Sequence, residues 1–574
     1  MKSCKFLNEL NRLRKSSSDS IDNVEKFDGF KEYMHVSRSA EEDLKSILRA
    51  VNNRGKKTLV LLCGSAGDGK SHLLSYLRNS DSEKLIDNYV VYNDATESSS
   101  PSKTAIETLN ELLSAFKDCN LNSPGKNVIL AINLGVLSNF TESEYGYGFS
   151  RLRSYVENSY ILTSQVNRND FDETSNFQHV SFSDYHMFSL TEEGIHAGYI
   201  EDILDKVFCQ KKENFFYQSY INDCSNCPLV QKCPVKLNYE YLMDVKRQKY
   251  VAELLIETII QAKVILTTRE ILNFIYDILV AQNFSFTKIQ RLLIDDAAYL
   301  KEFMKQITPA LIFDSTDVTA LMNMLKKYDP LLNRSEKADE IAISYYVSSD
   351  ISDDMHRVFD SVSYEAIICD PSMLDKLNDD KTLKSNAFNL MTRIQAIDEG
   401  IIGNEVYGKY LTDLYFYNAG TGKKLGSLYS MVEKAAKQWC GCDEDDNLCL
   451  DDKHHGFLLY EKVDFRPNLV HLPYPSGTVD LQRFAPFVVV EFDDSTSDII
   501  SLDIDYSLYE LIYKLNHGYI QTADDRNNHA DFISFVFRIL QTGSLTETVS
   551  IVSKQGKKAI ISQSMFGYKF KVVK

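Results

Sequence analysis

One octapeptide near the amino end constrains the fold more than any other part of the chain. Residues 64–71 read Gly-Ser-Ala-Gly-Asp-Gly-Lys-Ser, which matches the GxxxxGK[ST] pattern of a phosphate-binding loop at every position. A continuous apolar run, 58–63, precedes the loop, and 71–77 places leucines on one face of a helix. A strand that enters a helix through such a loop directs backbone N–H groups and the helix dipole at phosphates. The pattern therefore predicts a nucleotide site.

The residue types within the loop predict individual contacts with ATP and Mg²⁺. Lys70 is expected to reach the outer phosphates and to be catalytic, and Ser71 is expected to bind the metal. The alternative interpretation is a glycine turn without a ligand. The predicted nucleotide contacts are Gly64, Ser65, Ala66, Gly67, Asp68, Gly69, Lys70, Ser71 and His72.

Length and charge limit the remaining interpretations. A chain of 574 residues exceeds what one hydrophobic core usually supports. Neither a signal peptide nor an apolar membrane span is evident, so we expect a cytoplasmic protein without a membrane partner. The net charge of −18 opposes extended contact with a nucleic-acid backbone unless a local basic patch or a basic partner supplies cations.

The periodicity of apolar residues predicts an α/β fold at the amino end. Runs at 58–63, 89–94, 127–133 and 178–182 read as strands that alternate with helices, which favours a doubly wound parallel sheet. A capping box at 39–42 is expected to open the helix before the first strand. We predict five segments: an N-terminal helical segment (1–50), a P-loop NTPase core (51–200), a helical lid with a cysteine knuckle (201–330), a helical region (331–455) and a smaller β-containing domain (456–574).

Polar residues after the second and third predicted strands are candidates for magnesium binding and hydrolysis. We assign Asp94 to magnesium and Asn133 to sensing of the γ-phosphate, and Glu97 is a candidate base without an assigned role. A capping Asp after a strand is the structural alternative for Asp94. If the strand order instead follows the additional-strand ATPases, Asn133 takes the position of the magnesium-binding acid, and hydrolysis is weak.

An arginine at a helix start is a candidate for contact with the γ-phosphate. Thr267-Thr-Arg269 opens a predicted helix in the region where helical-lid ATPases place such a residue. Arg151 and Arg153 are weaker candidates. An exposed arginine at a helix start is an equally good interpretation of Arg269.

Cysteine spacing predicts a metal site. Cys224, Cys227 and Cys233 form a CxxC…C knuckle, and Cys209 lies upstream. Four such thiolates suit a structural zinc ion, or an iron–sulfur cluster as the second choice, and ordinary buried thiols are the alternative. A second group contains Cys440, Cys442, Cys449, His454 and His455; its acidic, polar sequence favours a solvated turn.

Taken together, several segments resemble the DptF family of DNA phosphorothioation-dependent restriction proteins. They are GSAGDGKSHLL, NDATES, VILAINLGVLSNF, the CxxC…CP knuckle, TTREILNFIYDIL and LDIDYSLYELIYKLNHGY. The resemblance implies an ATPase that acts with two partner subunits to restrict DNA lacking phosphorothioate linkages. It places nucleotide contacts on 64–71 and implies no mechanism for the other segments.

Two alternatives to an ATPase remain open. Acidic residues near the carboxyl end (Glu491, Asp493, Asp494, Asp503 and Asp505) resemble pieces of a metal-dependent nuclease, although no Asp/Glu-x-Lys pair follows a strand at useful spacing. Alternatively, the loop binds ATP to control assembly and hydrolyses it rarely. A homo-oligomer is compatible with each interpretation.

Overall fold

The computed structural model describes most of the chain as two compact units. One contains Met1–Ser189 and Ala197–Ile402, and the other contains Leu190–His196 and Gly403–Lys574. None of the described helices is both long and apolar enough to cross a bilayer. The description omits residues 1–3, 23–27, 66, 94–103, 163–170, 316–318, 333–335, 348–350, 361, 444–446, 452–455, 464–465, 474–479, 494–498, 543–547, 554, 565–566 and 574.

A four-stranded parallel sheet organises the amino-terminal part of the first unit. Its order is β2-β3-β1-β4, with every pair parallel. β1 is apolar throughout and β3 after its first residue, because both faces of such a sheet are covered, whereas the buried strand β4 also contains Gln, His and Ser. The predicted α/β fold class is confirmed to this extent. The strands are β1 (Leu59–Cys63), β2 (Tyr89–Tyr92), β3 (Asn127–Ile132) and β4 (Phe177–Ser181).

Helices cover both faces of this sheet. Val60 and Ile129 face one core, which also contains buried leucines from α3 and α4. Leu61 and Leu130 face the other core, which is completed by α5, α6 and α7. The helices of this part of the chain are α1 (Lys5–Asp22), α2 (Gly29–Tyr33), α3 (Ser39–Asn53), α4 (Lys70–Asn79), α5 (Ala105–Leu112), α6 (Leu134–Glu142) and α7 (Ser150–Asn158), with 3₁₀ turns at Ser114–Phe116, Asp118–Asn120, Glu144–Phe149 and Phe182–Asp184; residues of α3 to α7 form the two cores on the sheet.

The predicted capping box at the start of α3 is wrong. The helix begins at Ser39, so the N-cap residue is Arg38, whose side chain makes no capping hydrogen bond. An arginine side chain carries only donors and has no acceptor for the N–H groups of a first turn. Arg38 instead bonds elsewhere, as described below.

The rest of the first unit is helical, as predicted from the sequence. Lys263, in a left-handed conformation (φ 54°), is the C-cap of the helix Val245–Ala262 and separates it from the next helix, Thr268–Leu279. The helices are α8 (Gly198–Phe208), α9 (Phe215–Cys224), α10 (Pro234–Tyr241), α11 (Val245–Ala262), α12 (Thr268–Leu279), α13 (Phe286–Leu292), α14 (Asp296–Met304), α15 (Thr308–Asp314), α16 (Ala320–Leu325), α17 (Glu336–Val347), α18 (Ile351–Phe359), α19 (Glu365–Ile368), α20 (Pro371–Asp379) and α21 (Lys381–Glu399), with 3₁₀ turns at Val230–Lys232 and Lys326–Tyr328.

The second unit contains antiparallel sheets and helices. Its strands are β5 (Ser189–Thr191), β6 (Gly194–His196), β7 (Leu448–Asp451), β8 (Phe457–Glu461), β9 (Arg466–Asn468), β10 (Val488–Asp493), β11 (Ile499–Ile504), β12 (Thr548–Ser553), β13 (Lys558–Ser564) and β14 (Gly567–Val573). They form sheets of order β5-β6, β11-β10-β9 and β14-β13-β12-β8-β7. Its helices are α22 (Glu405–Asn418), α23 (Gly426–Cys440), α24 (Tyr506–Asn516), α25 (Ala523–Asn528) and α26 (Ala530–Thr542), with a 3₁₀ turn at Gly422–Leu425.

Candidate functional site

The glycine-rich loop 64–71 connects β1 to α4 at the carboxyl edge of the parallel sheet. Gly64, Gly67 and Gly69 have φ values of 152°, 90° and 94°, which side chains other than glycine adopt only with strain. Gly69 is the N-cap of α4 and supplies no capping side chain. The first-turn N–H groups of α4 therefore have no side-chain cap and can serve an anionic ligand.

Two side chains of opposite charge lie within the loop. Lys70 is buried, and its Nζ donates a hydrogen bond to the Ser65 carbonyl oxygen at 2.6 Å. Asp68 is also buried, and its Oδ2 accepts the Ser65 N–H at 2.5 Å. Burial raises the pKa of Asp68, although the charges of Lys70 and Arg38 oppose that rise. The loop thus contains an ammonium beside an internal carboxylate.

Arg38 ties this loop to the neighbouring strand end. Its guanidinium donates to the Asp68 carbonyl oxygen at 3.1 Å and to the Tyr185 carbonyl oxygen at 3.0 Å. It also lies over the rings of Phe182 and Tyr199, 5.3 and 5.2 Å from their centroids. The sequence analysis missed Arg38, because its partners lie far away along the chain.

The start of α12 packs against the loop. A Cβ placed on Gly67 would lie 3.2 Å from the side chain of Thr267, so a larger residue there requires the helix to shift. Thr267 and Glu270 form a capping box that fixes this first turn, which contains Arg269. The structure therefore confirms that Arg269 lies in a helix start and places that helix beside the loop. A contact between Arg269 and phosphate stays a prediction.

The sheet order decides which residues lie beside the loop strand. β3 and β4 flank β1, and β2 is separated from β1 by β3. Asn133 follows β3 directly and is the N-cap residue of α6. This order places Asn133 beside the loop strand, and both of its suggested roles, sensing of the γ-phosphate and the magnesium-acid position, stay predictions. Asp94 and Glu97 lie outside the described residues, and their roles stay predictions.

Asp184 is an acid near the loop that the sequence analysis missed. It ends the 3₁₀ turn that follows β4, the other neighbour of β1. Burial and the Asp184 carboxylate raise the pKa of Cys63, the last residue of β1, to about 12, and the charge of Lys70 opposes that rise. The only sequence signal was an acid three residues after an apolar strand.

The rings of His72 and Tyr76 on α4 pack against the ring of His35, which precedes α3. The His35 and His72 imidazoles lie 3.2 Å apart between Nδ1 and Nε2, and His35 stacks on Tyr76. The His35 Nε2 also lies 3.0 Å from Glu41 Oε2. Burial, with a smaller effect from the His35 charge, lowers the pKa of His72 to about 4. His72 therefore contacts the segment before α3, although the sequence predicted a nucleotide contact.

Cys4, and not the predicted Cys209, interacts electrostatically with the knuckle thiols Cys224 and Cys233. Cys209 lies 3.6 Å from the Tyr33 hydroxyl. Cys4 instead lies at the start of α1, where Asp223 Oδ2 accepts the Lys5 N–H at 2.6 Å. Among the described residues, no group of three or more His, Cys, Asp or Glu side chains is arranged to hold a metal ion. A zinc ion or iron–sulfur cluster stays a prediction.

Electrostatic coupling identifies the thiols that surround the knuckle. Burial raises the pKa of Cys224, and the charges of Cys233, Cys4 and Cys227 add to that rise. Burial also raises the pKa of Cys233 to about 11, with Cys4 and Cys227 again contributing. The Cys224 and Cys233 thiols are therefore neutral near pH 7 unless a cation or an oxidant acts on them.

The remaining candidates are dispersed. Arg153 pairs with Glu157 at 2.9 Å, and the Arg151 backbone N–H binds Asp118. In the second unit the Asp443 N–H donates a hydrogen bond to the Asn447 carbonyl oxygen at 3.1 Å, and Cys442 forms a bridge with Leu448. His454 and His455 lie outside the described residues.

The acidic residues of the nuclease alternative have separate partners. Glu491 lies 2.9 Å from His471 Nδ1, Asp493 accepts a hydrogen bond from Asn468, and Asp505 caps α24. Asp503 lies on β11 opposite Val489. Asp494 lies outside the described residues.

Comparison with known proteins adds no relative. No family model matches the chain, and neither the curated proteins nor the solved structures include a significant match.

The buried imidazole of His72 predicts a pH dependence of stability. Its lowered pKa keeps it neutral in the folded chain, whereas the unfolded chain binds a proton near pH 6.5. Stability should therefore be retained above pH 6.5 and fall as the pH drops toward 4, by roughly 3 kcal/mol at most. Thermal unfolding at pH 7 and pH 5 should show a smaller Tm difference in His72→Gln than in the wild type. The control His196→Gln, at an exposed position, should show the same Tm difference between pH 7 and pH 5 as the wild type. An equally large Tm difference in His72→Gln would show that His72 is not the source of the pH dependence.

The cysteine geometry predicts which thiols a metal requires. If metal binds, Cys227→Ser and Cys4→Ser should each lose it and lower the Tm, because metal binding is coupled to folding. Cys209→Ser should retain it. Elemental analysis of the purified chain is the measurement. If the wild-type protein contains no metal, the metal site does not exist. If Cys209→Ser loses the metal and Cys4→Ser keeps it, the ligands are the four cysteines predicted from spacing, with Cys209 as the fourth.

Proposed function

We propose that the first unit is a P-loop NTPase domain that binds ATP with Mg²⁺ in the loop 64–71. The observation that carries this proposal is the position of Lys70, buried in a glycine-rich loop at the carboxyl edge of a parallel sheet. In open α/β sheets, ligands bind at that edge. The uncapped start of α4 adds N–H donors for phosphate oxygens.

Each part of the loop suits one part of the ligand. Lys70 supplies a point charge for the outer phosphates, and the backbone N–H groups supply donors for their oxygens. The Ser71 hydroxyl suits Mg²⁺, which neutralises phosphate charge when it is bound. Arg38 holds the loop backbone through the Asp68 carbonyl oxygen, so that it serves as a positioning residue.

We infer that hydrolysis is slow. We adopt the alternative in which Asn133, which follows the strand next to β1, stands where an acid would otherwise bind the metal and orient water. An amide is neutral and cannot act as a base. Asp184 supplies a carboxylate beside the other neighbour of β1. This arrangement favours nucleotide-dependent control of assembly with little turnover over a fast motor.

We further propose that the chain serves in a cytoplasmic bacterial restriction complex with two partner subunits, acting on DNA that lacks phosphorothioate linkages. The support is the set of segments that resemble the DptF family. The charge of −18 agrees with a subunit whose partners contribute most of the cationic DNA-binding surface.

Removal of the loop ammonium tests nucleotide binding. Lys70→Ala should weaken ATP binding at least about 100-fold, because a buried charge-assisted contact contributes roughly 3 kcal/mol. Isothermal titration with ATP and Mg²⁺ measures the change. Arg78→Ala removes an exposed cation from the same helix and should bind like the wild type. Equal affinity in Lys70→Ala and the wild type would exclude this site.

Introduction of an acid at position 133, directly after β3, tests whether this position can bind the magnesium ion. Asn133→Asp should raise steady-state ATP turnover about tenfold, because a carboxylate can bind Mg²⁺ and orient water. Asn133→Ala should stay as slow as the wild type. Unchanged turnover in Asn133→Asp, with ATP affinity retained, would place the magnesium-binding acid elsewhere.

The internal carboxylate of the loop predicts a variant that binds more tightly. Asp68 engages the Ser65 N–H and adds a negative charge where the phosphates are expected. Asp68→Asn keeps the acceptor and removes the charge, so ATP affinity should rise about tenfold. Asp87→Asn, an exposed site in the turn before β2, is the matched control. Weaker binding in Asp68→Asn would show that the carboxylate only supports the loop.

A further inference from the structure

The carboxyl end of the chain carries a charge opposite to that of the whole. Residues 548–574 contain six lysines and neither Asp nor Glu, whereas the chain has a net charge of −18. The described part of this segment forms β12, β13 and β14, which lie side by side in an antiparallel sheet. A positively charged sheet is therefore present on an acidic protein.

The strand β14 is the edge of that sheet and is exposed along its whole length. Alternate residues of a strand point to opposite faces. Lys569 and Lys571 therefore lie on the same face of the sheet. They pair with Ser562 and Ile560 of β13, and Lys558, two residues before Ile560, lies on that face as well. Lys558 approaches Asp443 at 3.3 Å, whereas within the described part of the chain Lys569 and Lys571 have no ion-pair partner.

The other face of β14 presents large rings. The Tyr568 side chain is 79% exposed and the Phe570 side chain is 65% exposed. Val572, the next residue on this face, is 60% exposed. Their neighbours on β13 are Gln563, which is exposed, and Ile561 and Ala559, which are partly buried. Lysines and exposed aromatic rings therefore alternate along one edge strand, in the sequence Tyr-Lys-Phe-Lys.

This combination selects one class of occupant. Unpaired ammonium groups attract a polyanion through release of its counterions. Exposed aromatic rings add stacking platforms for bases that are not paired, each contributing about 1–3 kcal/mol. An acidic protein segment would use the lysines but would gain little from stacking. An apolar partner would leave the lysines without counter-charges.

We propose that single-stranded nucleic acid binds along the exposed edge strand β14, with Lys569 and Lys571 contacting its phosphates from one face of the sheet and Tyr568 and Phe570 contacting its bases from the other. The choice of DNA as the natural ligand rests on the proposed function, whereas binding itself is independent of the nucleotide loop. The acidic remainder of the chain makes this binding weak and strongly salt-dependent.

Fluorescence anisotropy with labelled 20-mer oligo(dT), full-length protein and no nucleotide tests the proposal at several salt concentrations. The double variant Lys569→Glu/Lys571→Glu should bind at least about tenfold more weakly. Its plot of log K against log[salt] should be shallower by about 1.4, the slope of two phosphate contacts on a single strand. The matched control Lys211→Glu/Lys212→Glu reverses two exposed lysines in the loop after α8 and should bind only slightly more weakly.

The aromatic residues have their own test. Tyr568→Ala/Phe570→Ala should weaken binding to oligo(dT) about tenfold and leave binding to heparin, which has no bases, unchanged. The proposal is overturned if both β14 variants bind oligo(dT) as the wild type does, or if the Lys211/Lys212 control loses as much affinity. It is also overturned if the aromatic variant changes only the oligomeric state, measured by size-exclusion chromatography with light scattering. ATP titrations on the same variants separate these outcomes from failure of the nucleotide site.

Discussion

The parallel pairing of β1 with both β3 and β4 is the constraint on which the candidate site depends. It brings the carboxyl ends of three strands to one edge, so that the loop 64–71, Asn133 and Asp184 become neighbours of that edge. Both faces of β1 are buried in separate hydrophobic cores. The polar loop can therefore lie only beyond the end of β1, where it leads into α4.

The packing around the loop is as specific as the loop itself. Arg38, from the segment before α3, holds the Asp68 carbonyl oxygen, and Thr267, from the start of α12, lies against Gly67. These contacts couple the loop to two helical segments that lie far apart in the chain. A ligand that displaces Asp68 from Ser65 would therefore act on both segments, which suits a protein in which nucleotide occupancy controls assembly.

Local sequence signals predicted the local structure well. The strands β1 and β3 coincide with predicted apolar runs to within a residue, because burial on both faces requires unbroken apolar residues. The strand order, the role of Arg38 and the approach of Cys4 to the knuckle could not be predicted, because each depends on contacts between residues far apart in the sequence. Asp184 had no local motif and gained its interest only from the position of β4.

ATP should bind at the loop 64–71 and stabilise the segments packed on that loop. Hydrogen–deuterium exchange of the full chain with and without saturating ATP and Mg²⁺ tests this most directly. The account predicts slower exchange of amides in 64–71 and, to a smaller extent, in 34–38 and 267–270, with no change in β12–β14. Protection confined to other parts of the chain, or none at all, would contradict it.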